Sequence, residues 1–280
     1  MNQVVNKKDK LPSSDLSSLE QYADQGNEFV TARDTKLPIL KILYANSPVL
    51  DESDGKFNDK ARQGDIYNEI TGSLYKGKEG IYVVPCLYIN TFNEWKDRGD
   101  SPGRPIAIHK DYEIMRQTSR ADDGKDRLPN GNYVEDTGNH FVYILDKDFN
   151  PLETALITMK STQKKKSKLW NSMLQSRRIK GSKGFFCPPS WSQVYKLTTT
   201  KESNSQNSWY GWVIEFQKML DTKENLNTLE VMNAFYASAK KSDIFGTVAF
   251  EDDNKNQKDS PSIDKEISGE KVESDSDVPF

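Results

Sequence analysis

The sequence predicts a mainly β fold with inserted helices (α+β), an elaborated small barrel followed by a disordered acidic tail, and three observations predict it. Short β-branched and aromatic runs recur between turn-forming residues, only two stretches carry helical periodicity, and beyond Phe250 apolar periodicity stops. The mean hydropathy of −0.80 agrees, because a chain this polar carries segments that bury too little apolar surface to offset their conformational entropy.

Residues 1–26 are rich in Lys, Ser, Asp and Gln and read as a flexible N-terminal arm, with a short helix over residues 16–22. The first strand falls within residues 37–44, ahead of the turn at Ser47-Pro48. Residues 81–89 and 140–145 are β-branched and aromatic, and residues 152–159 return as a hairpin arm after the turn at Asp146 to Pro151. Residues 191–197 and 210–216 form another antiparallel pair across a polar loop. Residues 162–178 place Leu169, Trp170, Met173 and Leu174 on one helical face and lysines on the others. A second helix over residues 225–240 carries the stripe Leu226, Leu229, Met232, Asn233, Phe235 and Tyr236. Residues 96–138 read as a long polar excursion. Several short strands with one inserted helix suit an oligonucleotide-binding (OB) fold, a five-stranded, partly open Greek-key barrel. The domain assignment is an arm over 1–26, an OB-fold-like nucleic-acid-binding domain over 27–250, and an acidic tail over 251–280.

Charge is divided unevenly along the chain. The tail holds ten acids and four lysines, net −6, which leaves 35 basic against 32 acidic residues in the first 250, net +3, within an overall net charge of −3. Blocks of like charge commonly serve as interaction tails. The two cysteines, Cys86 and Cys187, lie far apart with no CxxC, and His109 and His140 are the only histidines, so no disulfide framework, metal site or cofactor is expected. No apolar run is long enough to cross a bilayer, and the expectation is a soluble, intracellular protein with no membrane partner.

Between Lys160 and Lys183 there are nine Lys or Arg and no acid. Lys164, Lys165, Lys166, Lys168, Arg177, Arg178, Lys180 and Lys183 give this stretch the cations that follow a phosphate backbone. Trp170, Phe185 and Phe186 add flat rings on which any base can stack. Trp170 has a competing role as the core anchor beneath a solvated lysine face; Phe185 and Phe186, beside glycine and ahead of Cys187-Pro188-Pro189, are the better candidates for exposure. Trp209, Tyr210 and Trp212 crowd one strand, where Trp209 faces opposite to the other two, and core packing is the expectation for the pair.

The end of the chain, Asp275-Ser276-Asp277-Val278-Pro279-Phe280, places acids ahead of a compact apolar element. Phe280 suits an apolar pocket, its carboxylate suits a basic residue at the pocket edge, and Asp275 and Asp277 steer the approach, with Val278 and Pro279 completing the element. This tail resembles that of bacterial single-stranded DNA-binding proteins, which implies recruitment of replication and recombination proteins. Three stretches of the body also resemble the single-stranded DNA-binding proteins of tailed phages. They are Arg33-Asp34-Thr35-Lys36-Leu37-Pro38-Ile39-Leu40-Lys41-Ile42, the strand from Val84-Pro85 to Asn93-Glu94-Trp95-Lys96-Asp97-Arg98, and Leu156-Ile157-Thr158-Met159-Lys160-Ser161-Thr162-Gln163 leading into the Trp170 helix. The resemblance implies an OB core and adds a further stacking-plus-cation site, Trp95 with Lys96 and Arg98. It also implies a phage setting in the host cytoplasm.

The expected function is a non-sequence-specific single-stranded DNA-binding protein of phage replication, recombination and repair. A strand-annealing recombination mediator and a tail-bearing scaffold that binds no DNA are the alternatives. No enzyme is expected: no Walker loop, HExxH or GxSxG occurs. A metal-dependent nuclease would have to use Asp146, Asp148 and Glu153 near Lys160, acids more simply explained as turn residues.

Overall fold

In the computed structural model, residues 25–30, 34, 38–97, 99, 103–205 and 207–241 are described. The elements in chain order are β1 (Leu40–Ile42), β2 (Ile66–Asn68), β3 (Leu74–Tyr75), β4 (Ile81–Trp95), β5 (Ala107–His109), β6 (Ser119–Arg120), β7 (Asp126–Arg127), β8 (Tyr133–Leu145) and β9 (Pro151–Met159). They continue with α1 (Lys164–Ser176), β10 (Ile179–Gly181), β11 (Gly184–Phe186), β12 (Gln193–Ser203), β13 (Ser208–Met219) and α2 (Leu226–Lys241). The described residues lie within one compact unit, Met1–Ala249. No helix among them is long and apolar enough to cross a membrane.

β4 and β8 are the backbone of the sheet, paired antiparallel from Tyr82↔Leu145 to Trp95↔Tyr133. Their length lets each half take different neighbours. At one end β12 pairs with Ile81 to Val83 and β9 pairs with the second half of β8, giving the order β13-β12-β4-β8-β9. At the other end β5 joins β4 and the short β7 and β6 follow β8. The sheet curls into a half-barrel. Register irregularities supply a cause: the pairing skips Cys86 in β4, Leu152 in β9 and Gln217 in β13, and a bulge bends its strand and increases the twist. Pro85 is tolerated in this central strand because it stands at such a break.

Side chains alternate across the sheet as the pleat requires. Ile81, Val83, Val142, Ile144, Ile157, Tyr195 and Leu197 face inward against Trp170 and Leu174 of α1 and against Leu40, Ile42 and Ile66. Val84, Cys86, Leu145 and Val194 face outward against Leu229 and Met232 of α2. α1 packs on β8, β9 and β13 and fills the open side of the curl. Trp170 is fully buried there, stacked on His140 with ring centroids 4.5 Å apart. His140 Nε2 lies 2.8 Å from Ser167 Oγ. Gln163, just before the helix, accepts a hydrogen bond from the backbone N–H of Trp212 at 3.0 Å, satisfying a donor on β13. Gly138 makes this approach feasible, because a Cβ there would stand 2.3 Å from Ser167 Oγ.

The mainly β prediction, the hairpin of β8 and β9, the β12–β13 pair and both helices all hold. Several details differ. Residues 133–138 belong to β8, and the short strands β5, β6 and β7 also fall in the stretch that reads as a polar excursion, because Glu, Asp, Asn and Thr side chains in a ribbon stabilised by its neighbours do not prevent pairing. Trp191 lies in a 3₁₀ turn, Ser190–Ser192, and the loop between β12 and β13 is shorter than the predicted one. Leu169 is not on the buried face of α1: it is 54% exposed, since the stripe runs Ser167, Trp170, Leu174 and Leu169 sits about 100° from Trp170. Leu226 and Asn233, both counted in the stripe of the second helix, are likewise exposed. The residues of the predicted arm up to position 24 and of the acidic tail lie outside the described residues.

Trp170→Ala should cost about 3–5 kcal/mol of unfolding free energy, the loss expected on truncating a fully buried aromatic. Leu169→Ala should change it by about 0.5 kcal/mol or less. Denaturant unfolding of the two variants checks this, and equal effects would contradict the packing of α1.

Candidate nucleic-acid interface

α1 turns its buried stripe to the sheet, so its remaining surface is the lysine-bearing one. The helix stops where Arg177 adopts an extended backbone (ψ 133°), and the chain passes directly into the β10–β11 ribbon. Arg178 folds back onto the helix end, donating to the carbonyls of Gln175 and Arg177, where the helix dipole is negative.

The nine cations of residues 160–183 divide into two sets. Five have protein partners. Lys160 pairs with Glu135 at 2.7 Å and Lys164 with Asp136 at 2.6 Å, Lys164 also donating to Asn90. Lys166 pairs with Glu202 at 2.9 Å, which holds that carboxyl below its ordinary range. Arg177 donates to the buried Gln193 at 3.2 Å and lies over the Phe216 ring at 3.3 Å. Arg178, as described, caps the helix. Lys165, Lys168, Lys180 and Lys183 are exposed and form no ion pair among the described residues. These four are available to phosphate.

The β10–β11 ribbon is a two-stranded sheet of its own, turning through Ser182-Lys183 between Gly181 and Gly184. Lys180 is the cross-strand partner of Phe185, so ammonium and ring rise from the same face of the ribbon. Phe185 is 74% exposed. Phe186 points to the other face, where its ring lies against Gly181 at 3.0 Å from the position of a Cβ, and it is 46% exposed. Phe185 therefore stands clear of the body with Lys180 beside it and Lys183 at the turn. Leu169 adds exposed apolar surface on α1 next to Lys165 and Lys168, an exposure the sequence reading missed because Leu169 was counted in the apolar stripe.

The remaining predicted residues do not join this surface. Trp170 is the core anchor, and a base has no access to it. Trp95 ends β4 half-buried, on the face of the β4–β8 ribbon opposite to Trp170. The cation over its ring is Lys160, 5.2 Å away. Lys96 is exposed, and Arg98 lies outside the described residues, as do Asp275, Asp277, Val278, Pro279 and Phe280. Trp212 and Tyr210 pack on the inner core, while Trp209 turns away and donates to Glu202 at 3.0 Å. Two acids of the nuclease alternative, Asp146 and Glu153, have structural partners. Asp146 accepts from the backbone N–H groups of Asp148 and Asn150 at 2.8 Å, a turn role, and Glu153 accepts from Tyr75 Oη at 2.5 Å and Asn68 Nδ2 at 3.1 Å.

His140 ties the cationic helix to the core. Burial, with a smaller effect from the charge of Lys164, pushes its pKa from 6.5 down to about 3. The unfolded chain thus takes up a proton near pH 6.5 that the folded chain refuses until about pH 3. The stability linked to neutral His140 is complete above about pH 6.5 and falls by about 1.4 kcal/mol per pH unit below it. Between pH 6.5 and 5 the wild-type chain should lose stability faster than His140→Asn by this slope, as read by chemical denaturation. Parallel curves would contradict a dry, neutral His140.

The family model described as Pam3 phage gp34-like protein matches residues 6–244 of the chain. No curated protein and no solved structure gives a match.

Proposed function

The chain belongs to the Pam3 phage gp34-like protein family, and on that footing we propose that it is a non-enzymatic single-stranded DNA-binding protein serving phage DNA replication, recombination and repair. The observation that carries this reading is the β10–β11 ribbon, which exposes Phe185 beside Lys180 and Lys183 in a stretch of chain without acids. An exposed aromatic ring has an apolar face that water solvates poorly, and nucleobases offer flat faces to cover it. Lys165, Lys168, Lys180 and Lys183 neutralise successive phosphates, releasing counterions and making affinity fall with salt. Neither contact reads a base edge, so binding is tolerant of sequence.

The curled sheet is read as an elaborated OB barrel whose open side is filled by α1. Its long shared strands β4 and β8 do the work of a strand pair that turns the corner of a barrel. Residues 251–280, with ten acids, are read as a recruiting segment in which Asp275, Asp277, Val278, Pro279 and Phe280 meet replication and recombination proteins.

Fluorescence anisotropy with a labelled oligothymidine and a duplex of equal length tests the proposal. Wild-type protein should bind the single strand more tightly than the duplex, with affinity that falls steeply as salt rises. Phe185→Ala should weaken single-strand binding by about 1–3 kcal/mol, the value of one stacked base, and leave thermal stability unchanged. Absence of single-strand binding at low salt, or preference for the duplex, would overturn it.

A further inference from the structure

A second cationic surface lies at the other end of β12. Three segments converge there, residues 62–65, 76–79 and 199–201, and line a cleft with Tyr210. Asp65 holds the first two together: almost fully buried, it accepts from Arg62 N at 3.0 Å, Lys76 Nζ at 2.8 Å and Gly77 N at 3.2 Å. Gly77 is required by the closeness of this junction, since a Cβ there would stand 1.9 Å from the Gly64 carbonyl oxygen. Thr199 Oγ1 donates to that same carbonyl.

Lys76 is neutralised by Asp65. Arg62 Nη1 donates to the carbonyls of Asp59 and Ala61, both at 2.6 Å. Around the cleft this leaves Lys78 and Lys201 as exposed cations with no ion pair among the described residues, against one exposed acid, Glu79. Lys201 is the cross-strand partner of Tyr210, and the Tyr210 ring lies on Gly64. The ribbon's Lys180 and Phe185 make the same pairing of a lysine directly opposite an aromatic ring on one face of an antiparallel pair. The cleft and the ribbon share no residue, so the arrangement has arisen twice. At one end of β12 Gln193 holds Arg177 beside the ribbon; at the other, Lys201 borders the cleft. Eight strand residues separate them, about 27 Å at the rise of a β-strand. That span equals about eight nucleotides stacked at 3.4 Å.

We propose that the cleft is a second contact for the same single strand, in which Lys78 and Lys201 take phosphates and Tyr210 offers a ring edge to a base. The proposal rests on the single-strand-binding reading and adds a footprint with two anchors. Lys78 and Lys201 are exposed and carry no structural bond, so their charges are removable without unfolding the chain.

The test uses full-length protein and a labelled oligothymidine of about twenty nucleotides, long enough to span both anchors by the estimate above. Wild type, Lys78→Gln/Lys201→Gln, and a control of equal charge change at exposed lysines elsewhere, Lys56→Gln/Lys223→Gln, are titrated across salt concentrations. Each lost phosphate contact lowers the slope of log affinity against log salt by about 0.7 on a single strand, so the cleft variant should lose about 1.4 and bind about tenfold more weakly at 0.1 M salt. The control should keep the wild-type slope. If wild type binds and the cleft variant matches the control, the second anchor is overturned and the single-strand reading stands. If wild type does not bind, both fall.

Discussion

Everything on the cationic side of this molecule depends on keeping Trp170 dry. Its ring stacks on His140 inside a curled sheet whose open side would otherwise expose the inner rows of β4, β8 and β12. Among the described residues neither His140 Nδ1 nor Trp170 Nε1 has a hydrogen-bond partner, so the contact is held by burial, stacking and the Ser167 bond to His140 Nε2, and burial favours the neutral imidazole. Gly138 and Ser167 follow from it, being small enough to let α1 sit this close. With Trp170 and Leu174 committed to the core, Lys165 and Lys168 of α1 fall on the outer surface.

The same constraint sets the ribbon. α1 ends at Arg177, whose side chain lies over Phe216 and is hydrogen-bonded to Gln193, itself fully buried and bonded to Tyr195. The chain leaves the helix at a fixed point, and β10 and β11 project from there. A rigid base with an exposed ring at the tip limits the entropy lost when a ligand is bound. The five cations with internal partners hold the helix and its neighbours in place, and the unpaired lysines give the surface its field. Counting all nine as phosphate contacts would overstate the salt dependence that the proposed single-strand binding predicts.

The fold was largely legible in the sequence because its long strands are rich in β-branched and aromatic residues and its helices are amphipathic. What escaped was set by neighbours. Residues 133–138 look polar, yet they pair with β4 along their whole length, and Leu169 looks apolar, yet one helical step separates it from the stripe. Within the interface, Phe185 and Phe186 were legible from flanking glycines, which allow a tight ribbon but give nothing to bury against. The division of the lysines was not legible. Glu135, Asp136 and Glu202 lie 25 to 36 residues from Lys160, Lys164 and Lys166, on strands whose register a local pattern does not reveal. The cleft at Gly64 and Gly77 was missed for the same reason, since its three segments meet through Asp65 and Thr199, which lie far apart in the chain.

The central claim is that bases stack on the tip of the β10–β11 ribbon. Photo-crosslinking of a halogenated-uracil single strand to the full-length protein, with the adducts located by mass spectrometry, examines it directly. Stacking on Phe185 places the principal adduct on the peptide holding Gly184-Phe185-Phe186. Adducts confined to peptides away from residues 164–186, with none on the ribbon, would contradict it.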